Sequence, residues 1–159
     1  MIINAKERNG LKLLTYGVYF LGCRAGNGVN GMIASWVTQV SFQPRLVAVG
    51  VKQERRSHDL IKDEGVFSLC VLDKNQSNQM GLFKGEKRID DKTIEGVPYE
   101  KLETGAPVLE QCVGFVECKL VQSVETGDHT VFIGEVVNEG VRGGNPLTCW
   151  DLGGHYYGG

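Results

Sequence analysis

Three hydroxyl residues, Ser35, Thr38 and Ser41, fall within seven positions of one another inside the mostly apolar stretch GMIASWVTQVSFQPRLVAVGVK, residues 31–52, which ends on Lys52. Arg56, Ser57 and His58 follow shortly after and open a segment of helical character. Hydroxyls, fixed cations and the free N–H groups of a helix start are together what a phosphate monoester needs: inward donors and positive charge without bulk. The same residue types also suit solvated strand faces and helix caps, and composition alone leaves both readings open.

The elements that must position these residues are mostly strands. LKLLTYGVYFLGC reads as a first strand, and the Gly/Asn-rich RAGNGVNG after it as a hairpin-type turn. MIASWVTQVSF alternates, with Ile33, Ser35, Val37 and Gln39 on one face and Met32, Ala34, Trp36, Thr38 and Val40 on the other. QPRLVAVGVK predicts a third strand, its Pro44 suited to an edge or a loop. SHDLIKDEG breaks the pattern with a short helix: Ser57 is a good N-cap, Asp59 suits the positive helix start, and Gly65 sits where the helix should stop.

VFSLCVLD is a compact buried strand, and NQSNQMGLFKG a second short helix. The charged, turn-rich segment GEKRIDDKTIEGVPYEKLETGAPVLEQ reads as a surface excursion of the kind that often serves as a lid. Two further strands, VGFVECKLVQSVE and HTVFIGEVVNEG, are joined by the tight turn TGD. The expected architecture is mainly β: an antiparallel barrel or sandwich of about six or seven strands with small helices at its periphery.

A chain of 159 residues is the size of one ordinary domain, here 1–159, and can bury a core without staples. Hydrophobic residues at 42%, charged residues at 23% and a formal charge of −2 exclude a disordered tail and give no basic surface for nucleic acid. MIINAKERNGLKLL places charges where a secretory apolar run would lie, and no apolar run approaches the roughly 18 residues of a membrane span, so a cytoplasmic protein off the membrane is expected. Five cysteines, Cys23, Cys70, Cys112, Cys118 and Cys149, show no metal-site spacing and are an odd number. They read as reduced, small, mostly buried residues. No Ser/His/Asp or paired-carboxylate constellation appears.

NGMIASWVTQVSFQPRLVAVGVK, RRSHDLI, VFSLCVLD and GDHTVFIGEV resemble, in order and spacing along roughly residues 10 to 140, the flavin reductase-like family, whose members adopt the FMN-binding split β-barrel. The resemblance implies FMN, or FAD in its place, held noncovalently at a homodimer interface and reduced by NADH or NADPH. It implies that Ala34, Ser35, Trp36, Val37, Thr38 and Ser41 line the isoalloxazine ring and ribityl chain. By the same resemblance Lys52, Arg56, Ser57 and His58 would form the phosphate end, and Lys92 would sit in a loop near the flavin. His129, the catalytic candidate, lies where nicotinamide stacks. The ending GGHYYGG either brings an aromatic ring to a flavin edge or is a frayed end.

Such chemistry asks for position and hydrogen bonds more than for acids and bases. Two functions follow from the resemblance. One is an NAD(P)H:flavin oxidoreductase that passes electrons to a flavin-dependent partner enzyme. The alternative is a flavoredoxin-like carrier with tightly bound FMN, reduced by a redox protein partner. An OB-like nucleic-acid barrel is disfavoured by the acidic charge.

Overall fold

The computed structural model describes residues 10–153. The first nine residues and the aromatic tail His155–Tyr157, with the expectations attached to them, lie outside the described residues. Ten strands and one α-helix run in the order β1 (Tyr19–Ala25), β2 (Gly28–Ala34), β3 (Val37–Ser41), β4 (Leu46–Lys52), α1 (Arg56–Glu64), β5 (Val66–Val71), β6 (Thr93–Ile94), β7 (Val97–Lys101), β8 (Pro107–Leu109), β9 (Gly114–Glu125) and β10 (His129–Val141). A 3-10 helix, Lys74–Phe83, follows β5. Seven strands form one sheet in the order β2-β1-β5-β9-β10-β4-β3, and β6, β7 and β8 form a second, small one. Every pairing is antiparallel.

The large sheet is covered on both faces where it is most apolar. On β1 the neighbours Phe20 and Leu21 point to opposite sides, and both are fully buried. Leu21 joins Val49, Val51, Phe67, Cys118 and Phe132 inside the barrel, where Ile61 of α1 closes the end. Phe20 joins Ile33, Met80, Phe83, Ile94, Tyr99 and Val108 in an outer core. That core is roofed by the 3-10 helix and the small sheet. The segment expected as a surface excursion therefore folds inward. Its charges masked the alternating Ile94, Val97, Tyr99 and Val108, each of which is buried.

The first strand begins later than its apolar run suggests. Tyr19 stands opposite Ala34 of β2 and Val71 of β5, the outermost pair of each ladder, so there is no partner to extend residues 11–14 as strand. Gly10–Leu13 form a 3-10 turn instead, and Leu11, Leu13 and Leu14 are exposed. Within RAGNGVNG only Gly26 and Asn27 turn, and Gly28 already starts β2. Helix α1 stops where expected: Gly65 has φ 67° and donates its N–H to the Ile61 carbonyl. Because a Cβ is strained in that left-handed conformation, Gly65→Ala is expected to lower stability by about 1 kcal/mol, read from the urea midpoint. A midpoint equal to that of the parent would show that the cap tolerates a side chain.

Candidate functional site

The strands that the sequence presents as one continuous run, residues 32–42, are the two opposite edges of the large sheet. β2 ends at Ala34 and β3 begins at Val37, so Ser35 and Trp36 carry the chain across the seam at which the barrel is split. The strict alternation expected through Ser35 accordingly breaks there. Ala34 and Ser35 are both buried, while Thr38, Gln39 and Val40 face outward. Ser35 is only 4% exposed, and its Oγ has no hydrogen-bond partner. A sealed hydroxyl left unsatisfied is costly, and its presence suits a ligand group that completes it.

Trp36 folds back over β4. Its carbonyl accepts the Gly50 N–H at 2.9 Å, and its ring lies so close to Gly50 that a Cβ there would stand 3.2 Å from the indole. The indole also meets His129, with ring centroids 4.4 Å apart and planes inclined by 36°. His129 is the first residue of β10, in register with Lys52, the last of β4. The turn Thr126–Asp128 holds it: His129 Nδ1 lies 2.7 Å from Asp128 Oδ1, and that bond is the main reason the Asp128 carboxyl sits below its usual range. Lys52 Nζ reaches Glu54 at 3.2 Å. Trp36, Lys52 and His129, chosen from distant parts of the sequence, thus meet at the seam.

Beside the seam lies an open cleft of about 990 Å³, bounded by Val29, Met32 and Ile33 of β2, by residues 54–57, by residues 83–87 and by Ile89. Its cations are Arg55, Arg56, Lys84 and Lys87, against two carboxylates, Glu54 and Glu86. Burial, and next the charge of Arg55, hold the Lys87 ammonium below the ordinary lysine value. Crowded, partly dehydrated cations of this kind favour an anionic guest. Arg56 and Ser57 both line the cleft.

One expectation about a single residue is corrected, and two further candidates lie away from the cleft. Ser57 is not the N-cap. A turn that joins Arg55 N–H to the Lys52 carbonyl at 3.0 Å feeds the helix earlier, so Arg55 holds that position and Ser57 is buried in the first turn. His58 turns its ring into the barrel. Nε2 lies 2.9 Å from Thr130 Oγ1, Nδ1 lies 3.1 Å from Asp59 Oδ1, and the ring packs on Phe132 at 5.3 Å, so it does not line the cleft. Lys92 stands on an exposed turn closed by Asp90, whose Oδ1 accepts the Lys92 N–H at 2.8 Å.

In place of Lys92 the loop offers Lys87, five residues earlier, which the sequence reading passed over. Thr38 lines a separate groove with Val37, and Ser41 pairs with Leu46 at the far end of β3, so neither reaches the cleft. Among the described residues no cluster of His, Cys, Asp or Glu fits a metal ion.

An antiparallel barrel opened between two edge strands, with an aromatic–imidazole pair at the opening and a cationic cleft alongside, defines the split-barrel class. The chain belongs to the flavin reductase like domain family, whose model matches residues 11–158. It is 31% identical over 127 residues to a ferric-chelate reductase (NAD(P)H) of Archaeoglobus fulgidus, covering 79% of this chain and 75% of that protein. It is 30% identical over 148 residues to a high molecular weight rubredoxin of Moorella thermoacetica, covering 89% of this chain and 63% of that longer protein. Among solved structures, the flavin reductase PheA2 superposes with a TM-score of 0.78 at 28% identity, over 92% of this chain and 93% of that one.

Proposed function

We propose that the protein is an NAD(P)H:flavin oxidoreductase that holds FMN across the seam and passes its electrons to a partner. The observation that carries this reading is the meeting of Trp36, His129, Lys52 and the unsatisfied Ser35 hydroxyl at one opening of the barrel. The family membership and the named activities of the A. fulgidus and PheA2 proteins support it. Bound flavin would supply the two-electron chemistry, accepting a hydride at its ring nitrogen. Ser35 Oγ and the backbone around Trp36 would hold the ring, Ala34 and Val37 its apolar flank. Lys52, paired with Glu54 of the cleft wall, would lie toward the phosphate, which Arg56, Ser57 and Lys87 would hold.

His129 would position nicotinamide. Its ring packs on Trp36 and its Nδ1 meets Asp128, and among the described residues its Nε2 has no hydrogen-bond partner. His129→Ala is expected to leave FMN content unchanged while slowing anaerobic flavin reduction by NADH or NADPH about five- to thirtyfold, the worth of one hydrogen bond or stacking contact, about 1–2 kcal/mol. Reduction by dithionite, which needs no docking site, serves as the control. Equal slowing with dithionite would show that the substitution damages the seam itself.

A symmetric homodimer is part of the proposal. Val40, Phe42, Val121, Val124 and Val141 expose apolar surface on β3, β9, β10 and the turn after β3, with Phe42 88% and Val141 90% exposed. A groove of about 330 Å³ lined by Tyr19, Val37, Leu69 and Phe115 runs beside them. Exposed apolar side chains beside an apolar groove favour association. Sedimentation is expected at twice the 17.4 kDa chain mass; a monomer that binds FMN tightly refutes the arrangement.

The similarity to the longer rubredoxin-named protein supports a second reading, a carrier whose FMN is reduced by a redox protein. Stopped-flow reduction separates the two: a flavin that neither NADH nor NADPH reduces within minutes establishes the carrier.

A further inference from the structure

Among the described residues, the arginines away from the cleft all meet a carboxylate: Arg24 pairs with Glu64, Arg45 with Glu139, Arg88 with Glu95 and Arg142 with Glu100. The cleft departs from that rule. Arg55, Arg56, Lys84 and Lys87 all line it, and none of the four forms an ion pair with a described residue. Counter-charge is not scarce, since the chain holds 19 Asp and Glu against 17 Lys and Arg. Of the two carboxylates on the cleft wall, Glu54 is already drawn to Lys52 at 3.2 Å. Cations gathered at one opening and left unpaired repel one another until an anion joins them.

A single phosphate does not use this site up. The monoester of FMN carries at most two negative charges, and Arg56 and Lys87 with the Ser57 hydroxyl suffice for it. Arg55 and Lys84, both exposed, remain, one on each of the two charged segments that bound the cleft. At about 990 Å³ the cleft is at the upper end of the ~300–1,000 Å³ that enclose a whole small ligand, and Met32, Ile33 and the exposed Ile89 give it apolar wall for a flat base. The Arg55 segment is also joined to the seam. Gln53 N–H donates to the Asp128 carbonyl at 3.0 Å, Arg55 N–H donates to the Lys52 carbonyl at 3.0 Å, and Lys52 stands opposite His129 in the β4–β10 ladder. The turn that brings Arg55 to the cleft therefore runs beside the histidine at which nicotinamide would stack.

The two nicotinamide dinucleotides differ at one ribose hydroxyl of the adenosine, which NADPH carries as a phosphate and NADH carries free. Resting on the reductase reading above, we propose that Arg55 and Lys84 form a second anion subsite that receives this 2′-phosphate and makes NADPH the preferred reductant. NADH brings a neutral hydroxyl to the same place and leaves both cations with water alone.

The test uses the FMN-loaded full chain under anaerobic conditions. Its kcat/KM with NADPH is expected to exceed that with NADH about tenfold, the low end for charge-assisted contacts because the cleft is open to water. Arg55→Ala and Lys84→Ala are each expected to shrink that ratio about threefold through a higher KM for NADPH. Lys62→Ala, which removes an exposed charge of α1 outside the cleft, is expected to preserve it. Calorimetry adds a readout without turnover: adenosine 2′,5′-bisphosphate is expected to bind the wild type about tenfold more tightly than adenosine 5′-monophosphate, with Arg55→Ala narrowing the gap. Reduction by neither dinucleotide overturns the reductase reading, and this proposal falls with it. Reduction by both at equal efficiency, or equal binding of the two adenosine nucleotides, overturns the proposal alone. A loss of FAD relative to FMN in Arg55→Ala, with the NADPH ratio unchanged, assigns the two cations to the second phosphate of FAD and likewise overturns it.

Discussion

Glu117→Ala is expected to cost about 3–5 kcal/mol of unfolding free energy, the range for a buried polar group whose removal strands its partners. Glu117 is fully buried on β9. Its Oε1 accepts the Thr104 N–H at 2.9 Å and the Thr104 hydroxyl at 2.7 Å, and its Oε2 accepts the Glu103 N–H at 3.1 Å and Asn138 Nδ2 at 2.7 Å. Asn138 faces it because the β9–β10 register slips between Val136 and Asn138, a bulge that re-aims the side chain. The carboxyl thus ties the turn between β7 and β8 to the large sheet. Ser68 adds a second tie by donating to the Pro107 carbonyl at 2.5 Å.

Without Glu117, four donors face an apolar cavity and the small sheet loses its anchor. Urea unfolding checks this against Glu125→Ala, an exposed change on the same strand that should stay within about 0.5 kcal/mol of the parent. Equal effects from the two would mean that water replaces the carboxyl at no cost.

The parts legible in the sequence are those in which one local rule decides. The β9–β10 hairpin follows from alternation on both sides of TGD, the end of α1 from Gly65, and β5 from an unbroken apolar run. The order of such segments points to an antiparallel barrel or sandwich, and the split-barrel class comes from the family resemblance. The seam itself is not legible. The alternation of residues 32–42 runs smoothly through Ser35 and Trp36, yet tertiary pairing sends the two halves to opposite edges of the sheet.

His58 illustrates the same limit. In a helix of nine residues the apolar period is too short to tell an inward imidazole from one facing a ligand, and only the hydroxyl of Thr130, 72 positions away, decides it. Glu117 looks like one more outward charge until the bulge and the Thr104 turn surround it. Lys52 and His129 are recognisable one at a time, whereas their adjacency is a property of the β4–β10 register.

The choice between Lys87 and Lys92 gives the second large effect, because only Lys87 lines the cleft with Arg56. If the phosphate of FMN lies there, Arg56→Ala and Lys87→Ala each weaken FMN about ten- to hundredfold, the loss of one charge-assisted bond of about 1.5–3 kcal/mol. Riboflavin, which lacks the phosphate, binds both variants as it binds the parent, and Lys92→Ala leaves FMN binding unchanged. Burial and Arg55 depress Lys87 in the free protein. A bound phosphate favours the charged ammonium and raises it again, so the complex keeps a proton at pH values where the free protein has lost it. FMN affinity therefore falls as pH rises through the Lys87 titration, and Lys87→Ala flattens that slope. Fluorescence titration of both flavins against pH measures each part. Equal losses for FMN and riboflavin would show that Arg56 and Lys87 support the walls of the cleft, and the phosphate would then have to be sought nearer Lys52.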